Sequence, residues 1–282
     1  KNYLFTLFLI LLAFVAILFW TEYQKSSEKL LTVYVLDVGQ GDAILIESPT
    51  GTQVLVDTGP PGKILGQLAK VMSPTDRSLD ILFITHPDQD HIGGAVDVLK
   101  NYSVNYVFES GVLVNNQTFN SFHEEIKNQN IQNFLARKGT QLDLGDGVYI
   151  DILFPDRNVF TWKTNDSSIV MRLTYGENSI MLTGDANFDS EKIILSENSA
   201  ESLQSDILKV GHHGSKTSTS SNFLKAVDPD YAVISVGLNN KYDHPKQEIL
   251  SLLTNFGVDI FRTDELGQIE IKCDKIEPCK IN

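Results

Sequence analysis

The sequence predicts an α/β body in which two mixed sheets pack together with helices on their outer faces, preceded by one membrane span. Three observations predict it. Strand-like and helical runs follow one another in a doubled order, strand-rich then alternating, and strand-rich then alternating again. The 282 residues are 42% apolar and 21% charged with little low complexity, which fits a globular body and excludes disordered, collagenous and coiled-coil chains. The chain opens on a long uncharged apolar run.

That run, Tyr3 to Trp20, reads YLFTLFLILLAFVAILFW. At about 1.5 Å per residue it nearly spans a bilayer core of about 30 Å. A cleaved signal peptide would have a shorter apolar region, about 7–15 residues, ending near small residues. Here the run ends in Phe19-Trp20-Thr21-Glu22-Tyr23, aromatic residues suited to a membrane interface. Residues 1–21 are therefore expected to be an anchor, 22–30 a linker and 31–282 one unit. Lys1 precedes the span and mixed charges follow it, which weakly favours a single-pass protein with its body outside the cytoplasm.

Beyond the linker, residues 31–36, 43–47 and 53–57 are β-branched runs joined by tight turns, as in an antiparallel meander. A helix over 62–72, a buried strand over 80–85, a helix over 95–99 and a strand over 104–108 follow. Phe119, Phe122, Ile126, Ile131, Phe134 and Leu135 carry helical spacing through 118–138. Strands then fall at 148–153, 168–175 and 179–183, with a helix near 190–195. The last part alternates: strand 207–210, helix 222–226, strand 231–236, helix 247–256, and strands 258–262 and 268–273.

Twenty-three Lys and Arg against 36 Asp and Glu leave a net charge of −13. Generic coating of a polyanion is disfavoured, although a site carrying its own metal charge can still attract phosphate. The two cysteines, Cys273 and Cys279, could close one small loop or stay free thiols.

The densest polar cluster is Thr85-His86-Pro87-Asp88-Gln89-Asp90-His91-Ile92-Gly93-Gly94, directly after an apolar strand. In extended chain, His86, Asp88 and Asp90 project to one side, and His91 joins them at the turn into a helix. Imidazoles and carboxylates are the ligands of hydrolytic divalent metals.

This segment resembles the His-x-His-x-Asp-His signature of the metallo-β-lactamase superfamily, in the variant with Asp at the second position. Val38-Gly39-Gln40-Gly41-Asp42, Asp57-Thr58-Gly59, Leu182-Thr183-Gly184-Asp185, Gly211-His212-His213-Gly214-Ser215 and Asp243-His244-Pro245 follow the order seen in ComEC/Rec2-like hydrolase domains. The resemblance covers about residues 31–272. It implies a four-layer αβ/βα sandwich with a binuclear metal site where loops from both halves meet.

It further implies that His86, Asp88, Asp90, His91, Asp185 and His213 hold two divalent ions, with Asp185 bridging them and Asp57 orienting ligands from behind. His244 would hydrogen-bond substrate, or would complete the second site in place of His213. His212 would face phosphate or cap the following turn. The third histidine of many superfamily members is missing, since His123 falls in a helical stretch and looks solvated. Asn165-Asp166-Ser167-Ser168 stand at its place, so Asn165 or Asp166 could support the first ion. That oxygen-rich set tilts preference from zinc toward manganese or magnesium.

The expected activity is hydrolysis of a phosphodiester, DNA included, with no nucleotide cofactor. The ions would acidify a water from pKa 15.7 toward about 7 and clamp the phosphoryl oxygens. Asp90 would orient the nucleophile, and His212 or His244 would steady the developing charge. Lys209, Lys216 and Lys241 are expected to be solvated surface, with a cationic rim as the alternative. Alternative functions are an extracytoplasmic phosphorylcholine or cell-wall phosphodiesterase, and a catalytically silent tethered binding module.

Overall fold

The computed structural model describes residues 3, 5–7, 10–17 and 30–282. The chain divides into two units, Lys1–Leu30 and Leu31–Asn282. In the first, residues 10–17 are helical. Among the described residues no helix is long and apolar enough to cross a membrane. Residues 4, 8, 9 and 18–20 of the expected span at 3–20, and all of the linker at 22–30 except residue 30, lie outside the described residues.

The second unit holds two sheets. Strands β1 (Leu31–Val35), β2 (Ile44–Glu47) and β3 (Gln53–Val56) form the expected antiparallel meander. From β3, the sheet continues in parallel through β4 (Ser78–Ile84), β5 (Ser103–Glu109) and β6 (Gln132–Leu135). In the other sheet, β7 (Gln141–Gly145), β8 (Val148–Phe154), β9 (Val170–Tyr175) and β10 (Asn178–Leu182) run antiparallel. Strands β11 (Ile207–Lys209), β12 (Tyr231–Ile234) and β13 (Asp259–Arg262) extend it in parallel. Finally β14 (Ile269–Cys273) and β15 (Lys280–Ile281) return to the first sheet, β14 pairing with β1.

Period-2 alternation explains the four layers. Val33, Ile46, Val56 and Phe83 point from the first sheet into a central core, where they meet Ile150, Met171, Leu182 and Val233 of the second. Their neighbours Leu45, Leu55 and Leu82 face outward and are covered by Leu68 of the helix Ile64–Val71, Val98 of Ala95–Asn101 and Phe122 of Gln117–Gln129. Met181, Leu208 and Ala232 are covered likewise by Ile194 of Phe188–Glu197, Phe223 of Ser221–Val227 and Leu253 of Gln247–Asn255. Both faces of each sheet are buried, so the central strands read as continuous apolar runs.

Two expectations change and one open alternative closes. The helix over 118–138 ends at Gln129, where Asn130 takes a left-handed φ of 55°, and the chain re-extends as β6 against β5. Its Phe134 and Leu135 satisfy a helical count but sit on an edge strand. Cys273 and Cys279 form a disulfide that ties β14 to the segment leading into β15. Lys209 is not surface: it is 2% exposed at the end of β11.

Candidate metal centre

The candidate residues gather where the parallel strands end, the place where open α/β sheets present their loops. Asp57 follows β3, His86 follows β4, Asp185 follows β10, His212 and His213 follow β11, and His244 lies in the loop after β12. Each is pushed out of the sheet by chain that can no longer pair. Gly41 lets the loop after β1 reach the cluster, since a Cβ there would lie 2.2 Å from the Asp90 carbonyl oxygen. The Asp42 N–H donates to that same oxygen at 3.1 Å. Asp57, His212 and His213 all hold left-handed φ angles, 60°, 50° and 55°, a strained backbone for residues with side chains.

Asp185 is the hub. Its carboxylate lies 3.3 Å from His91 Nε2, 3.7 Å from His212 Nε2, 3.8 Å from His213 Nε2 and 3.9 Å from His86 Nε2. Asp88 approaches His86 Nε2 to 3.7 Å, and Asp90 approaches His213 Nε2 to 3.5 Å. Among the described residues four triads have donor atoms close enough to share an ion: His86, His91 and Asp185; Asp90, His91 and His213; Asp42, Asp57 and His91; and Asp42, Asp185 and His213.

The partners behind each ring fix its tautomer. The Thr85 hydroxyl donates to Asp57 Oδ2 at 2.7 Å, so its oxygen is left to accept from His86 Nδ1 at 3.1 Å. His91 Nδ1 donates to Asp57 Oδ2 at 2.8 Å. His213 Nδ1 donates at 2.9 Å to the Ser235 carbonyl, a group that can only accept. All three rings therefore carry hydrogen on Nδ1 and, when neutral, turn a bare Nε2 lone pair toward Asp185. Those Nε2 atoms and Asp185 Oδ1 are buried without a hydrogen-bond partner. Buried acceptors facing one another demand positive charge between them, from protons or a cation. The donor set fits divalent metal ions on this ground.

Without an ion, protons do that work. Burial opposes charge on His91, yet the Asp185 and Asp57 carboxylates hold its pKa well above the ordinary imidazole value. His213 is likewise lifted against burial, by Asp185 and Asp42, to about 9. Asp185, despite its burial, is held well below the usual carboxylate range by His91 and His213. His212 and His244 go the other way. Burial lowers both, His244 to about 4 with help from His212, His213 and Lys246, so they stay neutral near pH 7.

Asp57 thus stands behind His91 directly and behind His86 through the Thr85 hydroxyl. His212 faces Asp185 and also contacts Asn165 Nδ2 at 3.4 Å and Thr217 Oγ1 at 3.2 Å. His213 rather than His244 joins Asp90, while the His244 ring packs 5.7 Å from that of His212. Asp166 is turned elsewhere. Its carboxylate accepts from Asn187, the residue capping the helix Phe188–Glu197, and its carbonyl accepts from Ser190. His123 packs on Phe119 and pairs with Glu109 at 3.1 Å.

Sequence reasoning missed two contributors. Ser168 accepts from the Asp185 N–H at 3.2 Å and lies 3.2 Å from His86 Nδ1, linking the two donors. Asp42, quoted only as part of a motif, is buried beneath His213 at 3.3 Å from its Nδ1 and is paired with Lys209 Nζ at 2.6 Å. A lone lysine inside the apolar strand was the available signal, because such a charge is buried only with a partner.

A four-layer αβ/βα sandwich with a histidine and aspartate cluster on the sheet edge defines the class. The profile of the metallo-beta-lactamase superfamily matches residues 36–237, and the chain belongs to that superfamily. More particularly, the chain is 32% identical over 261 residues to ComE operon protein 3 of Bacillus subtilis (strain 168), covering 85% of this chain and 33% of that protein. It is 33% identical over 274 residues to Recombination protein 2 of Haemophilus influenzae, covering 93% of this chain and 31% of that protein. The chain is thus a ComEC/Rec2-like metallo-β-lactamase unit spanning about a third of the length of these relatives.

Among solved structures, Igni18, a metallo hydrolase from Ignicoccus hospitalis, aligns with a TM-score of 0.54 at 16% identity, covering 85% of this chain and 98% of that one. CmlA, a diiron β-hydroxylase from Streptomyces venezuelae, aligns with a TM-score of 0.55 at 15% identity, covering 88% and 54%. These likenesses establish the fold; one fold carries different chemistries, so activity has to be argued from the site.

Proposed function

We propose that the chain is a metal-dependent phosphodiesterase of nuclease type. The observation that carries this is the set of buried, unpaired atoms, His86 Nε2, His91 Nε2, His213 Nε2 and Asp185 Oδ1, facing one another at the sheet edge. His86 and Asp88 would hold one ion, Asp90, His91 and His213 a second, and Asp185 would touch both. With carboxylates matching imidazoles in number, manganese and zinc both suit the donors, with magnesium a third option. Bound there, a divalent pair supplies the Lewis acidity that lowers the pKa of a water toward about 7 and neutralises phosphoryl charge.

The chain's own residues do the positioning. Asp57 and Thr85 lock the rings of His86 and His91 from behind, so no rotation is needed when substrate arrives. Asp90 is partly exposed and, held ionised against its burial by His213 and His91, can accept a hydrogen bond from the nucleophile on the side facing solvent. His212 and His244, neutral near pH 7, can donate to a phosphoryl oxygen or to the leaving oxygen.

The similarity to ComE operon protein 3 and Recombination protein 2 supports a nucleic-acid or other phosphoester substrate. The apolar run at 3–20 supports tethering by a single span. A disulfide between Cys273 and Cys279 supports a body outside the cytoplasm, where such bonds persist.

The test is hydrolysis of bis(p-nitrophenyl) phosphate and of single-stranded DNA by the full chain, with manganese, zinc or magnesium and a lactam as control. Turnover of the phosphodiesters that needs metal and disappears in Asp185→Asn supports the assignment. Turnover of the lactam alone, or of nothing, refutes it.

A further inference from the structure

A row of rings leads outward from the cluster. Centroids are 4.1 Å apart for His86 and His91, 5.4 Å for His91 and His213, and 6.2 Å for His213 and His212. The row continues at 5.7 Å from His212 to His244 and at 5.7 Å from His244 to Tyr242. The inner rings are buried, but Tyr242 is 47% exposed and stacks on His244 at 25°.

The loop that presents Tyr242 is braced. Asn240 Nδ2 donates to the carbonyls of Gly237 at 3.0 Å and His244 at 2.6 Å, while its Oδ1 accepts from the N–H groups of Tyr242 at 3.2 Å and His244 at 3.0 Å. Both ends are tied to loops of the cluster. The Gly237 N–H donates to Gln40 Oε1 at 3.3 Å and the Lys246 N–H to the Gly214 carbonyl at 2.9 Å. An exposed aromatic ring held this firmly loses little entropy when a flat partner lands on it.

We propose that Tyr242 is a stacking platform for the nucleobase next to the scissile phosphate, which makes a nucleic-acid strand the substrate of this site. The inference rests on the phosphodiesterase assignment above and deepens it. His212 Nε2 lies 3.7 Å from Asp185, so a phosphoryl group against His212 sits two ring steps from Tyr242, within reach of its own sugar and base. Lys241 Nζ lies over the Tyr242 ring, 4.8 Å from its centroid, and a base landing there would displace this flexible ammonium toward the neighbouring phosphate. That ammonium disfavours a choline headgroup, whose quaternary nitrogen would share the ring with a like charge. On a body of net charge −13, base stacking also holds the strand by a contact that does not depend on charge.

The experiment uses the full chain in two readouts. One is binding of a fluorescent oligothymidylate, followed by anisotropy. The other is steady-state cleavage of dithymidine phosphate beside analogues lacking the 5′ or the 3′ base. Loss of one of the two bases is expected to lower wild-type kcat/KM about tenfold, the scale of one base–aromatic stack.

Tyr242→Ala should lower kcat/KM on the complete dinucleotide by the same factor, weaken oligothymidylate binding about tenfold, and make that base deletion silent. Tyr242→Phe should behave as wild type. Two results would overturn the platform: wild-type binding and cleavage by Tyr242→Ala, or an equal slowing of complete and base-deleted dinucleotides, which would show that Tyr242 only props His244. Failure of the wild-type chain to cleave either the dinucleotide or bis(p-nitrophenyl) phosphate sinks the phosphodiesterase assignment, and the platform with it.

Discussion

At the scale of the residue, the cluster is held by what stands behind it. Asp57 takes hydrogen bonds from the Thr85 N–H at 2.8 Å, the Thr85 hydroxyl at 2.7 Å and His91 Nδ1 at 2.8 Å, so one carboxylate fixes two rings. A pH dependence follows from His213. Its pKa is about 9 in the folded chain, against about 6.5 for an unperturbed imidazole. Its charge therefore stabilises the metal-free fold fully below pH 6.5, and that contribution fades as pH rises toward 9. A cation needs the neutral ring and competes with the proton, so metal binding gains over the same interval. Adding manganese should raise the melting temperature more at pH 8.5 than at pH 6; an equal rise at both would mean His213 is not displaced from its proton.

Lys209 carries a second expectation at this scale. Its ammonium is buried on Asp42 at 2.6 Å, with Asp42 Oδ1 facing His213, and together Lys209 and His213 hold the Asp42 carboxyl well below its usual range. Lys209→Met strands that carboxylate and should cost about 3–5 kcal/mol in urea unfolding. Adding Asp42→Asn removes the stranded charge and should recover at least half of the loss. If Lys209→Met unfolds like wild type, the pair is not buried as described.

At the scale of the element, the site was more legible than some of its frame. The loop from His86 to His91 announces itself because four imidazole and carboxylate side chains crowd six positions, and the Gly-Asp of Gly184-Asp185 and the His-His of 212–213 each follow an apolar strand. The meander and most later strands were visible for the same reason, since strands buried on both faces leave continuous apolar runs. The stretch after Gln129 was not. Phe134 and Leu135 fit a helical count from Phe119, and nothing local says that Asn130 will turn left-handed. The roles of Ser168 and Asp42 were hidden for another reason: they act through contacts between residues distant in sequence, His86 with Ser168 and Lys209 with Asp42, and the lone lysine in its apolar strand signalled only that some partner existed.

The closing strands give a prediction of their own. The disulfide joins residues six apart across the turn between β14 and β15. Closing so short a loop constrains the unfolded chain modestly, by about 2 kcal/mol. Cys279→Ser with Cys273→Ser should lower stability by that amount in denaturant unfolding and leave metal content unchanged, because Cys273 pairs with Leu31 at the start of β1, the end opposite the loop that carries Asp42.

At the scale of the whole molecule, the centre exists only where the two sheets meet. The first sheet contributes Asp42, Asp57, His86, Asp88, Asp90 and His91; the second contributes Asp185, His212, His213 and His244. Asp42 and Lys209 clamp that seam from beneath, and the Ser235 hydroxyl crosses it to the Gly41 carbonyl at 2.7 Å. The candidate donors are split between the sheets, His86, Asp88, Asp90 and His91 on one and Asp185 and His213 on the other, so the central core that registers the sheets also registers these side chains.

That dependence points to elemental analysis of the purified full chain beside Asp185→Asn. About two equivalents of manganese or zinc are expected per wild-type chain, with a marked loss in the variant and the fold intact by circular dichroism. A wild-type chain that is folded but binds no divalent metal, or a variant that binds as much as wild type, would contradict a metal centre here.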